Sequence, residues 1–121
     1  MTSDLWTVVF AAAALDDLTL IERHLTEAYQ SFGETAQEAA RHAAARIADI
    51  LSTAERLVTA PHRGEAHDDL LPGLRHLALD RSIYWFVVDD LARQVRILAL
   101  FFGGQDHQRQ MLVQLLRRVP R

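Results

Sequence analysis

Histidine and arginine are the residues with most chemistry to offer in this chain. His62, His67, Asp68 and Asp69 share one stretch, "PHRGEAHDDLLPG". Imidazole and carboxylate are the donors that a first-row metal takes. No ligand spacing recurs among the four, so they read as a solvated polar loop, and neither a metal nor a cofactor is assigned. His107, flanked by Asp106 and Arg109, has a side chain whose ordinary titration near neutrality suits a general acid or base. An exposed histidine at a helix start is the simpler reading. Arg75, Arg81 and Arg96 fall in or beside strand-like runs. A guanidinium there can grip phosphate or carboxylate through two parallel hydrogen bonds, or can act as an edge charge that blocks aggregation. Arg75 fits either role, whereas Arg81 and Arg96 read as structural. Arg117, Arg118 and Arg121 complement the negative end of a closing helix. Tyr84, Trp85, Phe86, Phe101 and Phe102 lie on runs so apolar that they read as core rather than as a base-stacking platform. No glycine-rich phosphate loop, G-x-S-x-G or H-E-x-x-H occurs.

Periodicity makes the helices and strands that carry these residues legible. "LWTVVF" (5–10) is β-branched and aromatic, a short strand. Leu15, Leu18, Ile21, Leu25, Ala28, Tyr29 and Phe32 then recur at helical steps until Gly33. A second helix, 34–58, carries Ala36, Ala39, Ala40, Ala43, Ile47, Ile50, Leu51, Ala54 and Leu57 on its apolar side. Small alanines let two helix axes approach closely, so 12–58 is expected to form an antiparallel hairpin. After the loop at 59–73 come "LRHLAL", "SIYWFVV" and "QVRILALFF", joined by short polar connections as in an antiparallel meander over 74–102. Met111, Leu112, Leu115, Leu116 and Val119 mark a last helix, 106–119, with Asp106 as N-cap. The predicted architecture is α+β, β-α-α-β-β-β-α, an antiparallel sheet packed against a helical hairpin with a C-terminal helix. In "IYWFVV" both alternating sets are apolar, so the sheet needs covers on both faces. The hairpin supplies one, and the C-terminal helix or a partner the other.

Composition sets the outer bounds. The 121 residues are half hydrophobic, which suits one folded domain over the whole chain rather than disorder. The absence of cysteine removes disulfides, thiolate ligands and thiol nucleophiles and suits a reducing cytoplasm. No secretory leader is legible, and no apolar run is long enough to span a bilayer. Residues 1–73 hold five arginines against twelve acidic residues, and residues 74–121 eight against four. A basic second half suggests an acidic partner. All thirteen basic residues are arginine, which genome composition explains more simply than selection for guanidinium chemistry.

From about Trp6 to Met111 the order of elements, with "ALDDLTLIERHL", Pro61–Gly64 as P-x-x-G, "DDLLPGLRHLAL", "IYWFVVDD" and "VRILALFFGGQD", resembles the RelE/ParE toxins of bacterial type II toxin–antitoxin modules. The resemblance implies a growth-inhibiting toxin neutralised by a cognate antitoxin, with homo- or hetero-oligomers through that antitoxin. The RelE-like branch, an mRNA endonuclease on the ribosome, uses strand arginines and a late histidine or tyrosine. Arg75 matches the first such arginine, and Arg75 with His107 would be the catalytic candidates. Ile83 stands where the middle-strand arginine is expected, Phe102-Gly103 replaces His-Gly, and no tyrosine follows. These departures favour the ParE-like branch, which inhibits DNA gyrase by binding. The contact residues expected for target or antitoxin are Arg75, Arg96, Phe102, Arg109, Arg117 and Arg118.

Overall fold

The computed structural model describes residues 5–103 and 106–118, the last of these by its backbone alone. The order is β1 (Thr7–Phe10), α1 (Ala12–Ser31), α2 (Ala36–Ala54), a 3₁₀ turn (Glu55–Val58), β2 (Glu65–Ala66), β3 (Leu74–Leu79), β4 (Ser82–Asp89), β5 (Gln94–Phe102) and α3 (His107–Arg118). This is the α+β architecture expected, with one added strand: β2, two residues long, lies inside the loop at 59–73. Glu65 pairs with His76 and Ala66 with Arg75. The sheet runs β1-β5-β4-β3-β2. It is antiparallel from β2 to β5, and β1 joins it in parallel, Thr7 beside Gln94 through Phe10 beside Ile97. Strand periodicity marks β1 but carries no information about its partner.

The two-residue turn between β3 and β4 places Asp80 and Arg81 at φ 49° and 69°, the left-handed pair whose twist matches that of a hairpin. α2 starts from a capping box: the Thr35 hydroxyl accepts from the Glu38 N–H at 3.1 Å, and the Glu38 carboxylate accepts from the Thr35 N–H at 2.9 Å. The Thr35 backbone N–H, and after it the Thr35 hydroxyl, favour the charged carboxylate and lower the pKa of Glu38 from its ordinary value.

Both faces of the sheet are covered. On one, Ala14 and Leu18 of α1 and Ile50 and Ala54 of α2, with Leu57, meet Tyr84, Phe86, Val95, Ile97 and Leu100. On the other, Leu74, Ile83, Trp85, Leu98, Ala99 and Phe101 meet Met111 of α3, with Leu71 and Leu115 alongside. The helices bury narrower stripes than periodicity alone suggests. Leu15 and Phe32 of the first stripe, Ala36, Ala40 and Leu51 of the second, and Leu112 and Leu116 of the third are exposed. The buried positions are Ala14, Leu18 and Leu25 of α1 and Ala39, Ala43, Ile50 and Ala54 of α2, and the residues at the margins of these stripes stay in water.

One strand departs from simple alternation. Trp85 pairs with Ala99 but Phe86 with Ile97, so Leu98 is the extra residue of a β-bulge. Strict alternation would put Val95, Ile97, Ala99 and Phe101 on one face. Instead Val95, Ile97 and Leu100 face the hairpin, and Leu98, Ala99 and Phe101 face α3. β1 ends opposite Ile97, and further along β5 the Leu100 N–H donates to the Asp17 carboxylate of α1 at 2.9 Å. A side chain thereby serves a backbone donor beyond the end of the parallel ladder.

Candidate functional site

The described residues with the densest polar chemistry lie on the α3 face, around the fully buried indole of Trp85. Cross-strand pairing places His76 of β3 directly beside Trp85 of β4. The His76 ring stacks on the indole at a centroid distance of 4.7 Å, and His67, one residue beyond β2, packs against the same indole at 4.7 Å. His67 is held there by its backbone, its N–H donating to the Leu74 carbonyl at 2.8 Å. His67 Nε2 and His76 Nδ1 are 2.7 Å apart, so one nitrogen carries the proton that the other accepts. Glu65 adds a carboxylate oxygen 3.6 Å from His67 Nε2.

α3 closes the group from above. His107, its first residue, sits edge-on to His76 at 4.8 Å between ring centroids, and Trp85 Nε1–H donates to His107 Nδ1 at 3.1 Å. An indole N–H only donates. The bond therefore requires a neutral His107 with its proton on Nε2. Burial, with His107 and His67 nearby, lowers the pKa of His76 from its ordinary 6.5, and Glu65 opposes the shift. Gly64 makes this packing possible, since a Cβ at its φ of +92° would stand 2.4 Å from the His76 carbonyl oxygen.

Of the polar-loop residues picked out in the sequence, only His67 joins this cluster. His62 Nε2 pairs with Asp90 Oδ1 at 2.7 Å, and the Asp68 carboxylate accepts the Gly73 N–H at 2.8 Å within the turn. Asp69 is exposed. His76 and Glu65 are absent from the sequence-derived candidates. Both lie on β2 or β3, and the pairing of β2 that brings them together spans two residues, too few for an alternating pattern.

Arg75 and His107 do not meet. Arg75 lies opposite Phe86, whose side chain belongs to the hairpin-face core, and its Nη1 donates to the Gly64 carbonyl at 3.4 Å. His107 is on the other face of the sheet with Trp85 and Phe101. Phe102 packs half-buried against the hairpin core, with the Arg46 guanidinium 5.9 Å from its ring centre. Arg96, Arg109 and Arg117 are exposed. The last two line a shallow groove along α3 with Asp106, Gln110, Val113 and Gln114. The side chains of Arg118 and Arg121 lie outside the described residues. Asp106 behaves as expected of a cap, its Oδ1 3.4 Å from the Arg109 N–H. Among the described residues no helix is long and apolar enough to cross a membrane.

No protein-family model and no curated protein sequence matches the chain. Its structure is similar to that of a chain from the chromosomal ParDE TA system of P. aeruginosa, at TM-score 0.62 and 19% identity, over 84% of this chain and 100% of that one. A more distant likeness, to the isolated E. coli RelE toxin, has TM-score 0.49 and 9% identity over 92% and 98% of the two chains. At 19% identity the likeness to the ParDE chain speaks for fold, and the fold this chain adopts is the one its resemblance to RelE/ParE toxins implied.

Proposed function

We propose that the chain is the toxin of a bacterial type II toxin–antitoxin module, one domain over residues 1–121, acting in the cytoplasm by binding and inhibiting DNA gyrase. A cognate antitoxin neutralises it. The observation that carries this reading is the shared fold, which spans the full length of the ParDE chain.

The separation of Arg75 from His107 by the thickness of the sheet supports gyrase over the ribosome as target. A phosphodiester cannot meet a guanidinium on one face and an imidazole on the other, and a nuclease needs both charge stabilisation and proton transfer at one bond. Nor is His107 free to act, because its Nδ1 lone pair is engaged by Trp85. Exposed Arg96, Arg109 and Arg117 suit contact with an acidic antitoxin segment or with the target.

Expression in cells, followed by a supercoiling assay with micromolar purified protein, tests the reading. The expected result is growth arrest, lost supercoiling and trapped double-strand breaks. Arrest with intact supercoiling and codon-position cuts in mRNA moves the target to the ribosome. Growth without arrest leaves a binding fold that is not toxic.

A further inference from the structure

Glu65, His67 and His76 offer one carboxylate oxygen and two imidazole nitrogens that all lie within 4.8 Å of one another. We propose that they form a binding site for one divalent first-row transition metal ion of the zinc type. The proposal is independent of the toxin reading, because it rests on ligand geometry alone.

Strand geometry supplies the convergence. Glu65 and His76 are cross-strand partners, whose side chains leave the sheet on the same side. His67 follows Glu65 by two residues and, with its N–H bonded to Leu74, keeps the strand direction and the same face. Three ligands thus come from one edge of the sheet, with no long loop to order. The two imidazoles already aim at a common point, since Nε2 of one and Nδ1 of the other are 2.7 Å apart. Tetrahedral ligands about 2.0 to 2.1 Å from zinc stand roughly 3.3 Å from each other. Replacing the shared proton by a metal therefore asks the rings to part by about 0.6 Å. The 3.6 Å between Glu65 Oε2 and His67 Nε2 is already near that spacing. Trp85 forms an apolar floor under both rings and fixes their planes, which lowers the entropy lost on coordination. The Glu65 side is exposed, giving the ion an entry path and leaving a fourth position for water. The donors are two nitrogens and one oxygen without sulfur, a borderline set that suits zinc or cobalt better than calcium or magnesium.

Calorimetric titration of the full chain with zinc is the test, with cobalt absorption and imidazole nitrogen NMR as independent readouts. One equivalent should bind with a dissociation constant of about a micromolar or tighter. Cobalt should give the intense visible bands of a tetrahedral site. The His67 Nε2 and His76 Nδ1 resonances should shift on zinc binding. Glu65→Gln, at an exposed position, should weaken affinity roughly tenfold, and His76→Gln by roughly a hundredfold or more. Absence of binding at about 1 mM zinc overturns the site. So does zinc binding that leaves the His67 and His76 nitrogen signals unmoved, which would place the ion at a surface pair such as His62 and Asp90. The NMR readout uses the unaltered chain, so a variant that fails to fold does not decide the matter.

Discussion

At the scale of single residues, Trp85 decides which histidines matter. Its indole is the surface on which His67 and His76 stack, and its N–H sets the tautomer of His107. The apolar run around Trp85 reads as core, and its histidines join it only through the β3–β4 pairing, the short β2 and the docking of α3. The lowered pKa of His76 makes folding stability depend on pH. Its neutral form is favoured in the folded state, so the unfolded chain takes up a proton first as pH falls past 6.5. Stability from this residue is complete above that value and is lost as pH drops toward the folded pKa. In metal-free buffer the urea midpoint should fall between about pH 7.5 and about pH 5.5, and His76→Gln should flatten that slope. An equal slope in both proteins would remove His76 as the cause. Gly64 works through space rather than charge. Gly64→Ala brings a methyl group against the His76 carbonyl at a φ only glycine adopts easily, so it should cost about 2 kcal/mol or more in chemical denaturation.

At the scale of elements, a helix start is a local matter whereas packing depends on neighbours, and the local bonds set the start of α2 at Ala36 rather than at the expected position 34. The second helix begins where a threonine and a glutamate three residues apart satisfy each other's backbone donors. Thr35→Ala should lower stability by about 1 kcal/mol and fray the first turn of α2, read by urea unfolding and amide exchange at residues 36–39. Unchanged exchange there would mean that packing against α1 alone sets the start of the helix. The β5 bulge shows the opposite case. "VRILALFF" is apolar in both alternating sets, so the sequence contains no penalty that reveals which residue is extra. Pairing with β4 and the contact of Asp17 with Leu100 determine it.

At the scale of the whole molecule, a sheet buried on both faces stands between a two-helix cover and a single helix. Among the described side chains of that single helix, Met111 is the fully buried one. Met111→Ala should cost roughly 2 to 5 kcal/mol and loosen α3 from Leu74, Ile83 and Trp85. The signs to look for are binding of a hydrophobic dye at neutral pH and loss of the Trp85–His107 bond in the indole N–H resonance. A variant that is destabilised yet keeps that resonance would show that His107 docks the helix without help from Met111.

The order of the helices and of the four longer strands, the hairpin of alanine-rich helices, the need for two covers and the polarity of charge are all legible along the chain, whereas the two-residue β2 is not. These follow from periodicity, turn residues and composition, properties of neighbours along the chain. The parallel pairing of β1 with β5, the opposite facing of Arg75 and His107, and the gathering of Glu65, His67, His76 and His107 around one indole appear only once the chain is folded. A strand's two faces alternate residue by residue, so the side on which a side chain emerges depends on register. Register is set by contacts between segments distant in sequence, and one bulged or paired residue is enough to change it.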